Sequence, residues 1–274
     1  MIHGDDWKQG HEKILRANAI KALVKCGGKL IEIPYTRGIS SESLTKFQNL
    51  NLITSDTRRG MLRRLLEAKK ISRFLEAHNP ISALIGENAL VKKNGRHLSF
   101  DGFWSSSLTD STSMGKPDNE YVDNSLRLTG INHIFDVTSK PLIFDGDTGG
   151  KKEHFDMKIK SIERLGVSAV IIEDKTGLKK NSLHQNTSNQ TQEDSNIFAE
   201  KISIGKKAQG SDDFMIIARI ESFILNKNIK DAMKRAHKYI EAGADGIMIH
   251  SKSKKPNEIF EFSKKFKKIY KDIP

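Results

Sequence analysis

Six short apolar runs, each closing on polar or charged residues and each followed by a stretch of helical period, constrain this chain most. They are SRFLEAHN (72–79), FDGFWSSS (100–107), KPLIFDGDTGG (140–150), VSAVIIEDKTG (167–177), DFMIIARIESF (213–223) and ADGIMIHSKS (244–253). Between them lie segments such as HFDMKIKSIERLG and IKDAMKRAHKYIEAG, which close on glycine as helix C-termini do. Continuous apolar strands alternating with helices predict a parallel sheet covered on both faces. Six such units point to a (β/α)8 TIM-type barrel more than to an open doubly wound sheet. A complete barrel has eight strands. A chain that stops at Pro274 after six units is therefore expected to be truncated, its last two βα units missing.

In a barrel the strand C-terminal ends form the active face. Here they carry His78, Ser106, Asp145, Asp147, Glu173, Arg219 and His250. Asp145 and Asp147 are two apart at one strand end, on one side if side chains alternate. Carboxylates that close repel unless a cation lies between them, and Glu173 ends the next strand. A hard divalent ion such as magnesium suits that set; capping of helix N-termini is the alternative reading of the pair. Arg219 follows an apolar run, where an unpaired guanidinium is costly to bury. Its anion is either Glu221 nearby or a substrate carboxylate or phosphate. His250 is either a satisfied core histidine or a member of the same ring. The polar stretch 173–196 is either a surface loop or an active-site lid, in which Lys179 and Asn181 would close over an anion. The hydroxyl-rich run FDGFWSSSLTDSTSMGKPDNE (100–120) has no apolar periodicity, so it reads as a loop built for a site.

Residues 1–46 stand outside the repeating pattern. GHEKILRANAIKALVKCGG reads as a helix closed by Gly27 and Gly28, KLIEI as a strand and YTRGISS as a loop. Residues 47–57 form the expected linker, 58–274 the barrel, and Asp56 or Thr57 the cap of the helix that opens it. The formal net charge of +12 raises the question of a polyanionic partner. The densest basic cluster (Lys264, Lys265, Lys267, Lys268, Lys271) interleaves with Phe262, Phe266 and Ile269 at helical spacing, which is a solvated helix face. The expectation is no nucleic-acid partner, with attraction for small anionic substrates. No run reaches the roughly 18 apolar residues of a membrane span. A single cysteine, Cys26, and a start without a secretory pattern read as a cytoplasmic chain.

Taken in order, FDGFWSSSLTDSTSMGKPDNE, FDGDTGG, IIEDKTGLKKNSL, ARIESF and MIHSK resemble the phosphoenolpyruvate mutase family of the isocitrate lyase superfamily, over about residues 57–274. The resemblance implies a magnesium-dependent isomerase interconverting phosphoenolpyruvate and phosphonopyruvate, the step that makes the carbon–phosphorus bond of phosphonates. It implies catalytic roles for Asp118, Lys179, Asn181, Arg219 and His250, and a substrate cradle of Trp104, Ser106, Ser107 and Leu108. It assigns the magnesium to Asp145, Asp147 and Glu173, directly or through water, and implies a homo-oligomer for the full-length form. A phosphonopyruvate hydrolase, or a non-catalytic truncated fragment, is the alternative. Separately, HGDDW and YTRGIS are similar to the C-terminal half of a cytidylyltransferase-type nucleotidyltransferase. The upstream nucleotide motif of that family is absent, and nucleotidyl transfer is not expected.

Overall fold

A computed structural model describes residues 1–34, 53–177, 179 and 190–274 of the chain. Contacts divide it into two units, Met1–Lys46 and Phe47–Pro274. In the first, strands β1 (Ile2–Gly4) and β2 (Ile31–Ile33) pair in parallel around helix α1 (Lys13–Lys25). Glu32 ties the helix to the strands, accepting from the Trp7 indole at 3.0 Å and the Arg16 guanidinium at 2.7 Å. The loop expected at YTRGISS lies outside the described residues.

The second unit opens on α2 (Ser55–Arg59) and α3 (Met61–Ala68). Its cap is Thr54, not Asp56 or Thr57: the Thr54 hydroxyl accepts from the Thr57 N–H at 3.3 Å. Asp56 instead lies in the first turn, where a carboxylate complements the helix dipole. Residues 55–57 are therefore helix rather than linker, and 47–52 fall outside the described residues.

Six strands follow, each parallel to the next: β3 (Phe74–Glu76), β4 (Gly102–Ser105), β5 (Leu142–Asp145), β6 (Ala169–Glu173), β7 (Met215–Ile220) and β8 (Gly246–Ile249). They lie in sequence order and form a curled half-barrel sheet, as the six apolar runs require. Helices alternate with them: α4 (Pro80–Asn88), α5 (Ser107–Ser113), α6 (Asn124–Phe135), α7 (Phe155–Leu165), α8 (Ser195–Ala208), α9 (Ile229–Glu241) and α10 (Asn257–Ile269). Gly166 ends α7 at φ 96°, and a Cβ there would meet Ser55 at 2.8 Å, so only glycine fits this turn. Phe262 and Phe266 of α10 are buried as expected, whereas Ile269 is exposed.

Side-chain alternation splits the sheet into two apolar faces. Phe103, Leu142, Phe144, Val170, Ile172, Ile216, Ala218 and Ile220 face the helices and meet Ile131, Phe155, Ile159, Phe198 and Tyr239. Ile143, Ala169, Ile171, Met215 and Ile217 face the other way, with Leu62 and Leu66 of α3, Phe74, Trp104 and Met248. The helix-facing layer is the larger. Phe155 is wholly buried, and Gly205 leaves room for its ring, since a Cβ there would lie 2.6 Å from it. Phe155→Ala is expected to cost about 3–5 kcal/mol by cavity formation. A urea titration would register this as a lower midpoint at unchanged slope.

Candidate active site

Following the inner face toward the strand C-termini, each apolar residue is succeeded two positions later by a polar one. Phe74 leads to Glu76, Trp104 to Ser106, Ile143 to Asp145, Ile171 to Glu173, Ile217 to Arg219 and Met248 to His250. The register places these ends side by side: Glu76 opposite Trp104, and Arg219 between Glu173 and Met248. The result is a cavity of about 390 Å³ whose walls include Trp104, Ser106, Ser107, Leu108, Asp118 and Asp145, together with Lys179, Arg219 and His250. Apolar floor and charged rim are thus two stretches of the same strands.

The hydroxyl-rich run is not all loop. Ser106 caps α5, accepting from the Thr109 N–H at 3.5 Å, and Ser107, Asp110 and Ser111 on one face of that helix are buried. A capped polar helix of two turns leaves no apolar period to read. Beyond it the chain delivers Asp118 to Lys179, whose ammonium donates to the Asp118 carboxylate at 2.8 Å and also contacts Asp147 and the Ser107 hydroxyl. Asp145 accepts from the Ser107 hydroxyl at 3.2 Å and from the Asp147 N–H at 3.2 Å. Asp147 does not share the side of Asp145 by strand alternation. The strand ends at Asp145, the chain turns through Asp147 at φ 55°, and the two carboxylates meet through that turn.

Arg219 is bound on two sides. Its Nε donates to Glu221 Oε1 at 2.6 Å, and Nη2 lies 3.0 Å from Glu173 Oε2. His250 Nδ1 is 2.9 Å from both Arg219 Nη2 and Glu221 Oε1. One nitrogen cannot accept from the guanidinium and donate to the carboxylate at once, so the tautomer decides which contact is the hydrogen bond. Glu221 pairs with Arg219, and the side chain also lines the cavity.

Burial and charge compete at every acid. Burial opposes ionisation of Asp145, yet the Arg219, Lys179 and Arg127 cations hold its carboxyl below the usual range. At Asp147 burial, reinforced by the Asp145 charge, wins and raises the carboxyl. Burial, with Glu221 and Asp145 adding to it, pushes Glu173 up to about 7 against Arg219 and Lys175. Lys179 would be lowered by burial, but Asp147, Asp145 and Glu173 keep its ammonium above the ordinary value.

Among the described residues no three of His, Cys, Asp and Glu enclose an ion directly, so Asp145, Asp147 and Glu173 do not form a three-carboxylate cage. Lys179 and Arg127 occupy Asp147 from opposite oxygens. Among the described residues Asp145 accepts two long hydrogen bonds, and both Glu173 oxygens, though ion-paired to Arg219 and Lys175, are buried without an aligned hydrogen-bond donor. One reachable carboxylate with a second, under-satisfied one on the next strand fits magnesium, which keeps several waters and binds few protein oxygens.

Of the expected residues, the cavity gathers Trp104, Ser106, Ser107, Leu108, Asp118, Asp145, Lys179, Arg219 and His250. Asp147 and Glu173 stand behind that lining, and Asn181 lies outside the described residues. His78 is not on the wall: the inner-face position of β3 is Glu76, and the His78 N–H donates to Ser82 at 3.1 Å. Arg127, which reaches Asp147 from α6, went unread because an arginine in a mixed helix gives no sequence signal.

Residues 62–272 match the family model described as phosphoenolpyruvate phosphomutase. A phosphoenolpyruvate phosphomutase of Tetrahymena pyriformis is 36% identical over 221 residues, 80% of this chain and 70% of that protein. A phosphonopyruvate hydrolase of Variovorax sp. (strain Pal2) is 35% identical over 211 residues, 76% of this chain and 69% of its own length. The crystal structure of a phosphoenolpyruvate phosphomutase from Streptomyces platensis subsp. rosaceus superposes with a TM-score of 0.68 at 34% identity, covering 74% of this chain and 68% of that one. A phosphonopyruvate hydrolase in complex with oxalate and Mg++ gives a TM-score of 0.65 at 33% identity, over 76% of this chain and 68% of the other. Among the described residues no helix is long and apolar enough to cross a membrane.

Proposed function

Since the chain belongs to the phosphoenolpyruvate phosphomutase family, we propose that its cavity interconverts phosphonopyruvate and phosphoenolpyruvate. The observation that carries this reading is a single cavity lined by Asp118 and Asp145 together with Lys179, Arg219 and His250. In the conversion the C3–phosphorus bond breaks, its electron pair remains on the pyruvate enolate, and the enolate oxygen forms the new oxygen–phosphorus bond. Phosphoryl transfer of this kind asks for positioning and charge neutralisation more than for covalent chemistry. Arg219 and His250 would hold the migrating phosphoryl group, fixed in place by Glu221. Ser106, Ser107 and Leu108 would orient the carboxylate end, and Asp118 would receive or steer the phosphoryl group between carbon and oxygen. Lys179, paired to Asp118, would neutralise that carboxylate as the anion approaches, with Asn181 as its partner in closing the site. Asp145 would hold a magnesium ion, with Asp147 and Glu173 acting through water, and the ion would supply charge neutralisation for the enolate oxygen.

The runner-up is hydrolysis to pyruvate and phosphate, favoured by the 35% identity to a hydrolase. Phosphorus NMR of phosphonopyruvate with the chain and Mg2+ separates the two. Appearance of phosphoenolpyruvate supports the mutase, and inorganic phosphate moves the assignment to the hydrolase. No change over prolonged incubation with properly folded protein rejects both. The N-terminal unit has no part in this reading.

A further inference from the structure

We propose that Arg127, on α6, is the positioning residue that fixes the strand-end geometry of this site, an inference that rests on the phosphoryl-transfer reading above. Its side chain is 1% exposed and does not line the cavity, so it touches no substrate. Instead it binds the ends of two neighbouring strands at once. Nη1 donates to the Asp145 carbonyl at 2.7 Å and to Asp147 Oδ2 at 3.3 Å. Nη2 donates to the Ser105 carbonyl at 3.2 Å. Nε donates to Asp110 Oδ2 at 2.9 Å, the oxygen that also accepts from the Ser105 hydroxyl at 2.6 Å. The guanidinium lies 4.2 Å from the centre of the Phe144 ring, on the strand that ends in Asp145.

A single planar fork therefore joins the last residue of β4, the buried face of α5, the last residue of β5 and the turn to Asp147. The first pair carries Ser106–Leu108, and the second carries the candidate cation ligands. The β4–β5 register ends at Ser105 opposite Phe144; beyond it Arg127 spans the two segments from behind, alongside the Ser107–Asp145 hydrogen bond. It also leaves only one Asp147 oxygen to Lys179, which keeps that ammonium between Asp147 and Asp118. A lysine carries the charge but cannot reproduce a fork that reaches two carbonyls and two carboxylates.

The test compares Arg127→Lys and Asp110→Asn with the parent chain. The readouts are Mn2+ binding by electron paramagnetic resonance, oxalate binding by calorimetry, kcat and KM for phosphonopyruvate, and the urea midpoint. Arg127→Lys is expected to fold and to bind Mn2+ on the order of 10-fold more weakly, the usual scale for residues supporting metal ligands. At saturating Mn2+ its kcat should fall about 100-fold, as misplacement by an ångström can cause. Asp110→Asn, which keeps shape but weakens the Arg127 anchor, should move both in the same direction by less. If both variants keep Mn2+ affinity, oxalate affinity and kcat within about two-fold while only the midpoint falls, Arg127 is a structural brace and the proposal is wrong. Should Arg127→Lys fail to fold, Asp110→Asn decides by the same readouts. A parent that binds Mn2+ and oxalate but converts no phosphonopyruvate rejects the reaction, and loss of that binding in the variants still supports the positioning role. A parent that binds neither rejects both.

Discussion

Asp118→Ala is expected to reduce turnover of phosphonopyruvate on the order of 1,000-fold or more while leaving Mg2+ or Mn2+ affinity nearly unchanged. The magnitude follows from removing a group that acts on the migrating phosphoryl itself, within the range for a positioned acid, base or nucleophile. The sparing of metal affinity follows from geometry. Among the described residues Asp118 is joined to the site through its contact with Lys179, whereas Asp145 is bound to Ser107 and the Asp147 N–H. In the variant Lys179 loses Asp118 and retains Asp147 and Ser107, so its ammonium stays in place. Single-turnover kinetics combined with a Mn2+ titration measures both quantities. Parallel loss of metal binding and turnover would show that Asp118 supports the ion site rather than the phosphoryl group.

The half-barrel was legible because each of its strands is a continuous apolar run between helix-period segments, a pattern few other folds impose. The same runs disclosed Asp145, Glu173, Arg219 and His250, each the first polar residue on the inner face after an apolar stretch. Glu76 was missed although it obeys the same period, because β3 is short and His78 looked the more chemical residue. Asp147 was expected beside Asp145 by alternation, yet reaches it through a left-handed turn that local sequence does not announce. Gly146 instead answers a close approach to the next strand: a Cβ there would lie 2.8 Å from Val170. Arg127 was invisible for a deeper reason, since its partners are two backbone carbonyls and two acids on other elements. Such contacts exist only after the sheet has assembled. The relatives carry mutase and hydrolase names at nearly equal identity, so overall similarity does not separate those activities.

Arg219→Met should damage the folded state as well as the reaction. The side chain, 11% exposed, serves two carboxylates, Glu173 at 3.0 Å and Glu221 at 2.6 Å. Removing it leaves both acids buried with Lys175 as the cation at 3.2 and 3.7 Å. Breaking a buried pair costs about 3–5 kcal/mol, with the lower end expected here because Lys175 still faces both acids. The sign of the pH dependence follows from which protonation state needs the cation. Burial opposes ionisation of Glu221, but His250 and Arg219 hold its carboxyl well below the ordinary range. Its stabilisation is therefore present above its unfolded value and fades as pH falls through the folded one. Glu173, already pushed up to about 7, would rise further without the guanidinium and take up a proton on folding near neutrality. The deficit of the variant against the parent should accordingly be largest near pH 8 and shrink toward pH 5, as read from urea midpoints across that range. Arg219→Lys should recover much of the stability, because a charge remains between the acids, but little of the turnover, because an ammonium cannot hold Glu173, Glu221 and a phosphoryl group in one plane. If the lysine variant restores both together, the guanidinium is only a counter-charge, and the phosphoryl contact must be sought at His250 or Lys179.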